Sequence, residues 1–343
     1  MKRYEIIIKP LSGFGTPLKG DTLFGHFCWQ AAYDRGLLEG GLERWIACYE
    51  ERPFVVFSSA WPKVYDNGEW FYALQRPSLP LARLFPEEAV NKRKLMMDRK
   101  KNAARKWLLV PEDLRLSLRT GGYATDQDLL PLMDRKPLDE TRRRPHSKSR
   151  RALKKEFLQP HNTINRMTMT TGEGMFAPYV QSADVYYPGV HLVLFILIDE
   201  TATDITRVSE GIKRIGKLGF GKDASTGWGR FDLVRMEEKP FNDDDQVDAC
   251  YTLGPAIPEK GVFRDVFFIP FTRYGRHGDV MAKSGNPFKN PVIMADEGAV
   301  FIPEKKDVFT KPYLGRPARN VSKTMSETVV QGYAPYLPFK LET

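Results

Sequence analysis

The run Val190-His191-Leu192-Val193-Leu194-Phe195-Ile196-Leu197-Ile198 is the longest apolar stretch in the chain, and it limits the possible folds more than any other. Its length and its β-branched content suit a central strand, buried in the middle of a sheet. The residues that follow suit a helix laid on that sheet. From Asp204 to Leu218, Ile205, Val208, Ile212 and Ile215 recur at the spacing of one helical face, and Lys213, Arg214 and Lys217 crowd the last turn, where the helix dipole favours cations. Next comes Gly219-Phe220-Gly221-Lys222-Asp223-Ala224-Ser225-Thr226-Gly227-Trp228-Gly229-Arg230-Phe231, and the chain leaves this glycine-rich loop as a strand.

The beginning of the chain repeats the pattern. Tyr4 to Lys9 reads as a short, largely buried strand ending at Pro10. Asp21 is placed to N-cap a helix running to about Leu38, with Leu23, Phe24, Phe27, Cys28 and Ala31 on one face and His26, Gln30 and Tyr33 beside it. Phe54-Val55-Val56-Phe57 follows as a second strand, and Trp70 to Leu74 suits another strand nearby. The order is strand, helix, strand, long insertion, strand, helix, strand: βαββαβ, the ferredoxin-like arrangement shared with RNA-recognition modules.

The expected fold class is therefore α+β, with two ferredoxin-like domains. The first spans 1–240, with a basic insertion at about 76–185 and the glycine loop at 219–229. The acidic Asp243-Asp244-Asp245 marks the boundary to a second, strand-rich and degenerate domain over 241–343. There Val266 to Phe271 reads as a strand, Pro291 to Met294 and Ala299 to Ile302 read as a hairpin around Asp296-Glu297-Gly298, and Val329 to Phe339 closes the domain. A convincing helix pattern is missing from this half.

Charge narrows the function. The 52 basic residues outnumber the 43 acidic ones, giving +9. Between Asn91 and Pro160 there are twenty Lys and Arg against nine Asp and Glu, so the excess sits in one segment. Its runs Lys92-Arg93-Lys94, Arg99-Lys100-Lys101, Arg142-Arg143-Arg144 and Arg150-Arg151 read either as a nucleic-acid-facing insertion or as a solvated extension. Cys28, Cys48 and Cys250 are too scattered for a disulfide framework or a metal site, which fits a reduced, cytoplasmic setting. No apolar run approaches the roughly 20 residues that span a bilayer, so no membrane partner is expected.

A glycine loop can curl back and offer its amides to an anion, and a phosphate is the obvious guest. Because this one leaves a helix and enters a strand, it matches neither the P-loop nor the dinucleotide fingerprint, both of which open a helix. The alternative is a tight connection and nothing more. Gly219, Gly221, Gly227 and Gly229 with Lys222, Ser225 and Thr226 are the candidate phosphate contacts, and Phe220 or Trp228 the candidate stacking surface. A second polar segment, His161-Asn162-Thr163-Ile164-Asn165-Arg166 to Phe176, offers Asn162, Asn165 and Arg166 for base edges, or else forms a Thr-rich structural hairpin.

Gly15-Thr16-Pro17-Leu18-Lys19-Gly20-Asp21-Thr22-Leu23-Phe24-Gly25-His26-Phe27-Cys28-Trp29 resembles the N-terminal signature of the RAMP (repeat-associated mysterious protein) superfamily of CRISPR effectors. Within it the likeness is to the subunit that holds the 5′ handle of the guide RNA in type III-A (Csm) complexes. Asn162 to Phe176 resembles that family's Asn-x-Ile-x-Arg-x-Thr segment, the glycine loop its Gly-rich loop, and Gly332 to Pro338 its closing strand. The resemblance implies a non-catalytic RNA-binding subunit without cofactor or metal. Its partners would be the handle, a large polymerase/cyclase-like subunit and a RAMP backbone subunit, with Lys19, His26 and His161 added to the candidate contacts.

Two rivals stand beside it. Some superfamily members cut RNA without metal, using a histidine as general base, and His26, His161 and His277 are possibilities here. No partner at a diagnostic spacing accompanies any of them. The other rival is a basic RNA-binding protein outside CRISPR.

Overall fold

The structure is a computed structural model describing residues 1–86, 91–119, 122–133, 152–241 and 246–341. Arg142-Arg143-Arg144, Arg150-Arg151 and Asp243-Asp244-Asp245 lie outside the described residues. The chain opens with strand β1 (Lys2–Pro10), helices α1 (Gly20–Tyr33) and α2 (Leu42–Ala47), and strands β2 (Val55–Phe57), β3 (Trp61–Asp66) and β4 (Glu69–Gln75). Helices α3 (Leu81–Leu84) and α4 (Lys92–Ala104), strands β5 (Trp107–Pro111) and β6 (Gly122–Ala124), and helix α5 (Asp126–Met133) follow. A hairpin of β7 (Lys154–His161) and β8 (Tyr179–Tyr186) leads to β9 (His191–Ile198), α6 (Ile205–Leu218) and β10 (Phe231–Glu238). The second half holds β11 (Ala249–Thr252), β12 (Phe263–Phe267), β13 (Pro270–Arg273), β14 (Val292–Ala295), β15 (Val300–Pro303), β16 (Tyr313–Gly315) and β17 (Tyr333–Phe339).

The first sheet runs β10–β1–β9–β3–β4–β5–β6, with β2 also paired to β9. Its core is β10–β1–β9–β2, every pair antiparallel, with Ile6 between Leu194 on β9 and Met236 on β10. This is the pairing of a βαββαβ chain whose first and third strands lie at the centre. Every residue of β9 is buried, because both faces of the sheet are covered. On one face Ile6, Ile8 and Leu194 pack with Leu23, Phe24 and Phe27 of α1 and Val208, Ile212 and Ile215 of α6. On the other, Ile7, Val193 and Phe195 pack with Tyr251, Val300, Leu337 and Phe339 of the second half. One strand thus serves two cores through the period-2 alternation of its side chains.

Local chemistry sets the helix ends. The Asp204 carboxylate accepts the Arg207 N–H at 2.9 Å and starts α6 as expected. Helix α1 departs from expectation at both ends. Asp21 does not cap it but lies inside its first turn, where Arg273 takes its carboxylate. It stops at Tyr33, not Leu38, because Asp34 accepts the Gly36 N–H at 2.9 Å and the chain continues as a single 3-10 turn.

The basic insertion is not a single appendage. β5 pairs with β4, Tyr72 opposite Val110, and extends the first sheet together with β6. Leu129, Leu132 and Met133 of α5 are buried in the first core. Among the described residues, α4 and the β7–β8 hairpin stand away from it, α4 with no buried residue and β7 mostly exposed.

The second half forms an antiparallel sheet β12–β15–β11–β17–β16 beside a two-stranded β13–β14 ribbon. Among the described residues it has no α-helix, only two short 3-10 turns, so it carries the sheet but not the helices of a βαββαβ copy. The expected hairpin of Pro291–Met294 with Ala299–Ile302 is corrected. β14 pairs with β13 while β15 pairs with β11 and β12, and the Asp296-Glu297-Gly298 turn crosses between the two sheets. The halves are also stitched by Gln331, whose side-chain amide accepts from the Phe57 N–H (3.0 Å) and donates to the Phe57 carbonyl (2.8 Å), standing in for a neighbouring strand. No helix among the described residues is long and apolar enough to cross a membrane.

Candidate nucleic-acid interface

The glycine loop joins α6 to β10 and is folded down onto residues 12–16. Gly219, Gly221, Gly227 and Gly229 all have positive φ, as does Asp223. At Gly229 (φ +72°) a Cβ would sit 2.1 Å from the Phe220 carbonyl, and at Gly221 (φ +74°) 2.4 Å from Thr16 Cβ, so only glycine fits either place. The amides hold this shape from within. Gly229 N–H donates to the Gly13 carbonyl (2.7 Å), Lys222 N–H to Thr16 Oγ1 (2.9 Å), Phe220 N–H to the Gly229 carbonyl (2.9 Å) and Gly221 N–H to His26 Nε2 (3.1 Å). The expected row of glycine amides facing a phosphate is therefore corrected: they are already engaged. The loop offers side chains instead, with Lys222, Ser225 and Thr226 exposed and Trp228 half-buried.

Phe220 cannot be a stacking platform, since it is fully buried with its ring 4.7 Å from that of His26. His26 is a fastener of the loop. Burial pulls its imidazole down to about 4, so it is neutral near pH 7, with Nε2 accepting from Gly221 and the proton left on Nδ1. Lys19 is also corrected. Its side chain is only 10% exposed, and its ammonium bonds Asp296 and, at 2.6 Å, Glu297, while standing over the Phe271 ring. It ties α1 to the second half, as does Asp21 through Arg273 at 2.5 and 2.9 Å.

Beside the loop lies a cleft of about 810 Å³ between the two halves. One wall is α1, with Thr22, Gly25, His26 and Trp29; the floor is Gly221, Lys222 and Asp223. The opposite wall comes from the second half: Arg273, Tyr274, Arg276, His277 and Lys289. Tyr274 is 79% exposed and Arg276 is exposed over the Phe288 ring. Lys289 is half-buried with no ion pair among the described residues, and burial lowers its pKa. The cleft thus combines cations with flat aromatic surface, the two means by which a single strand is held.

The β7–β8 hairpin rises as an arm from the same end. Gln181 Nε2 donates to Asp223 Oδ1 at 3.2 Å, and Phe14 bridges to Asp184, fixing the base of the arm against the loop. His161 stacks on Tyr179, with centroids 5.4 Å apart and planes within 13°. Asn162 and Arg166 are exposed beyond it. Asn165 is a turn former, its Oδ1 accepting the Met167 N–H at 2.9 Å and its backbone paired with Thr170. Ile164, Met167, Met169 and Met175 are all exposed near the tip.

The structure therefore brings His26, Gly221 and Lys222 into one cleft with the base of the arm and keeps Lys19 and Phe220 out of it. Sequence reasoning missed Trp29, Tyr274, Arg276 and Lys289. Trp29 had a signal, three residues after His26 on the same helical face; the others had none within their own segment. His277 shares a hydrogen bond with Ser322 Oγ at 2.7 Å, and burial, with the nearby Lys289 adding to it, lowers its pKa. The one carboxylate trio close enough for a metal among the described residues, Glu5, Glu112 and Glu237, is occupied by Lys63 (2.7 Å to Glu5) and Lys239 (2.7 Å to Glu237).

No protein-family model matches the sequence, and no curated protein does. Solved structures match from end to end. A chain of the Csm3–Csm4 subcomplex of the type III-A CRISPR-Cas interference complex is similar with TM-score 0.54 and 15% identity over 99% of this chain and 100% of that one. Chains of the Csm1–Csm4 cassette are similar over 99% of this chain and 98% of theirs at 13% identity, with TM-score 0.54 in complex with cA4 and 0.52 with pppApA. At these identities the likeness is one of fold, and the fold agrees with the RAMP resemblance seen in the sequence.

Proposed function

We propose that this protein is a non-catalytic subunit of a type III CRISPR interference complex that grips the 5′ handle of the guide RNA and docks on the large polymerase/cyclase-like subunit and a RAMP backbone subunit. The observation that carries the reading is the cleft beside the glycine loop, which Lys222, Arg276 and Lys289 line together with Trp29 and Tyr274. Cations neutralise phosphates and aromatic faces take bases, so the site suits a single strand without reading a long sequence. The arm, with Asn162 and Arg166 exposed, extends the contact. The glycine loop acts as a rigid support, and its side chains, not its amides, meet the RNA. Partner docking rests on the fold shared with chains solved in Csm1–Csm4 and Csm3–Csm4 assemblies.

Catalysis is disfavoured by the state of His26. A general base needs a free lone pair at the reacting proton, and the Nε2 lone pair already accepts the Gly221 N–H.

Labelled repeat RNA tests the proposal. Wild type should bind a handle-length strand and leave it intact, and replacing Lys222, Arg276 and Lys289 by Ala should flatten the salt dependence by up to about two units of slope at ~0.7 per phosphate. An unchanged slope would remove the cleft from the interface. Cleavage that disappears in His26→Ala would make the protein an endoribonuclease instead. Co-expression with a large polymerase-like subunit should yield a complex containing guide RNA.

The loop gives a paired control. Gly229→Val should abolish handle binding, because its side chain collides with the Phe220 backbone. At Gly227 (φ +96°) a Cβ meets nothing within 4 Å, so Gly227→Ala should cost only the left-handed strain, about 1–2 kcal/mol, and keep binding.

A further inference from the structure

Helix α4 differs from every other α-helix among the described residues, for none of its residues is buried. Its large apolar side chains are Leu95, Met96 and Met97, the two methionines exposed, and a helix that buries no residue rarely persists by propensity alone. This one is nonetheless pinned at both ends. Asn91 Oδ1 accepts the Arg93 N–H at 2.9 Å, and the Arg76 guanidinium donates to the carbonyls of Asn102 (3.0 Å) and Arg105 (2.9 Å). Lys92, Arg93, Lys94, Lys100 and Lys101 are exposed and form no ion pair among the described residues. Arg93 and Lys100, like Lys94 and Lys101, are seven residues apart, so the charges recur along the helix every two turns, about 10 Å.

The position of α4 separates it from the cleft. Phe231 follows directly on the glycine loop and pairs with Pro10, and β9 enters from the arm at His191, so loop and arm share one end of the sheet. Trp107 follows α4 and pairs with Gln75, which lies three residues, about 10 Å, along the strands from the level of His191, since Lys63 faces both His191 and Tyr72. From β10 to β5 there are also five strand steps. At about 4.8 Å each that is about 24 Å across the sheet.

We propose that α4 is a second RNA-contact surface, separate from the cleft, which takes the sugar–phosphate backbone of single-stranded RNA beyond the segment held there. Five exposed cations on one pinned helix complement a regularly spaced polyanion and form no ion pair among the described residues. The inference takes from the proposed function only that the ligand is RNA.

The test is a variant with Lys92, Arg93, Lys94, Lys100 and Lys101 replaced by Gln, which keeps helix propensity and disturbs no buried group. Binding of RNAs of roughly ten and roughly forty nucleotides is titrated against salt. The short RNA should bind as to wild type, while the long one loses tenfold or more in affinity and up to about three units of salt slope. Unchanged long-RNA binding would overturn the proposal and give α4 to solvent or to an acidic protein face. Equal losses for both lengths would overturn it by merging α4 with the cleft. Should wild type fail to bind the short RNA while the variant still weakens the long one, the handle reading falls and the α4 surface stands.

Discussion

Lys19 and the lysines of α4 look alike in the sequence and have opposite fates in the fold. Lys19 sits in a motif of RNA-binding resemblance, yet its ammonium is enclosed by Asp296 and Glu297 at the junction of the two halves. Lys100 and Lys101 belong to a segment that composition alone would allow to be solvent, yet their helix is capped at both ends and held in the open. A charge acts on its surroundings only when something has excluded water from one side of it. At Lys19 the protein has done so itself, whereas at α4 that is left to a partner.

The sharpest way to break this comparison is Lys19→Ala. Removing it leaves the half-buried Asp296 and Glu297 carboxyls facing each other without their cation, at a cost of about 3 kcal/mol or less. The unfolding midpoint should fall while the folded fraction keeps its RNA affinity. Lost RNA affinity at an unchanged midpoint would return Lys19 to the interface.

A smaller effect is expected from pH. Burial pushes the Glu297 carboxyl up to about 7, with the Asp296 charge adding to the rise and Lys19 opposing it. The folded carboxyl keeps its proton up to that value while an unfolded glutamate releases it near 4.5, so the folded state is the proton-richer one in between. Stability should therefore decline by about 1–2 kcal/mol as pH rises from 5 to 8, and Glu297→Gln should flatten that part of the profile. Thermal melts across that range check it, and a profile rising with pH would refute the assignment.

At the other extreme, Lys100→Gln should change stability by no more than about 0.5 kcal/mol, since an exposed and unpaired side chain contributes little to the fold. A clear loss would mean that α4 is anchored through that lysine.

The same contrast explains what the sequence could disclose. The β9 strand and α6 were legible because burial on both faces and burial on one face each leave a periodic trace in neighbouring residues. The junction was not, because Lys19 and Asp21 meet Arg273, Asp296 and Glu297 only after some 250 intervening residues. The Asp296-Glu297-Gly298 turn looked like a hairpin because local spacing cannot tell a return from a crossing between sheets. In the candidate site, His26 and Lys222 were read as part of it, but the wall from Tyr274, Arg276 and Lys289 comes from a segment whose own pattern is unremarkable. Phe220 was misplaced because a loop aromatic looks exposed until the helix behind it is in position.

The bond between Gln331 and Phe57 bears on how the chain is made. Strand β2 completes its hydrogen bonding with a side chain 274 positions later, so the first half emerging from a ribosome has an edge it cannot close. The first half made alone should show an exposed strand until the second half meets it. Folding of this chain is accordingly a single end-to-end event, in which the late residues finish what the early ones began.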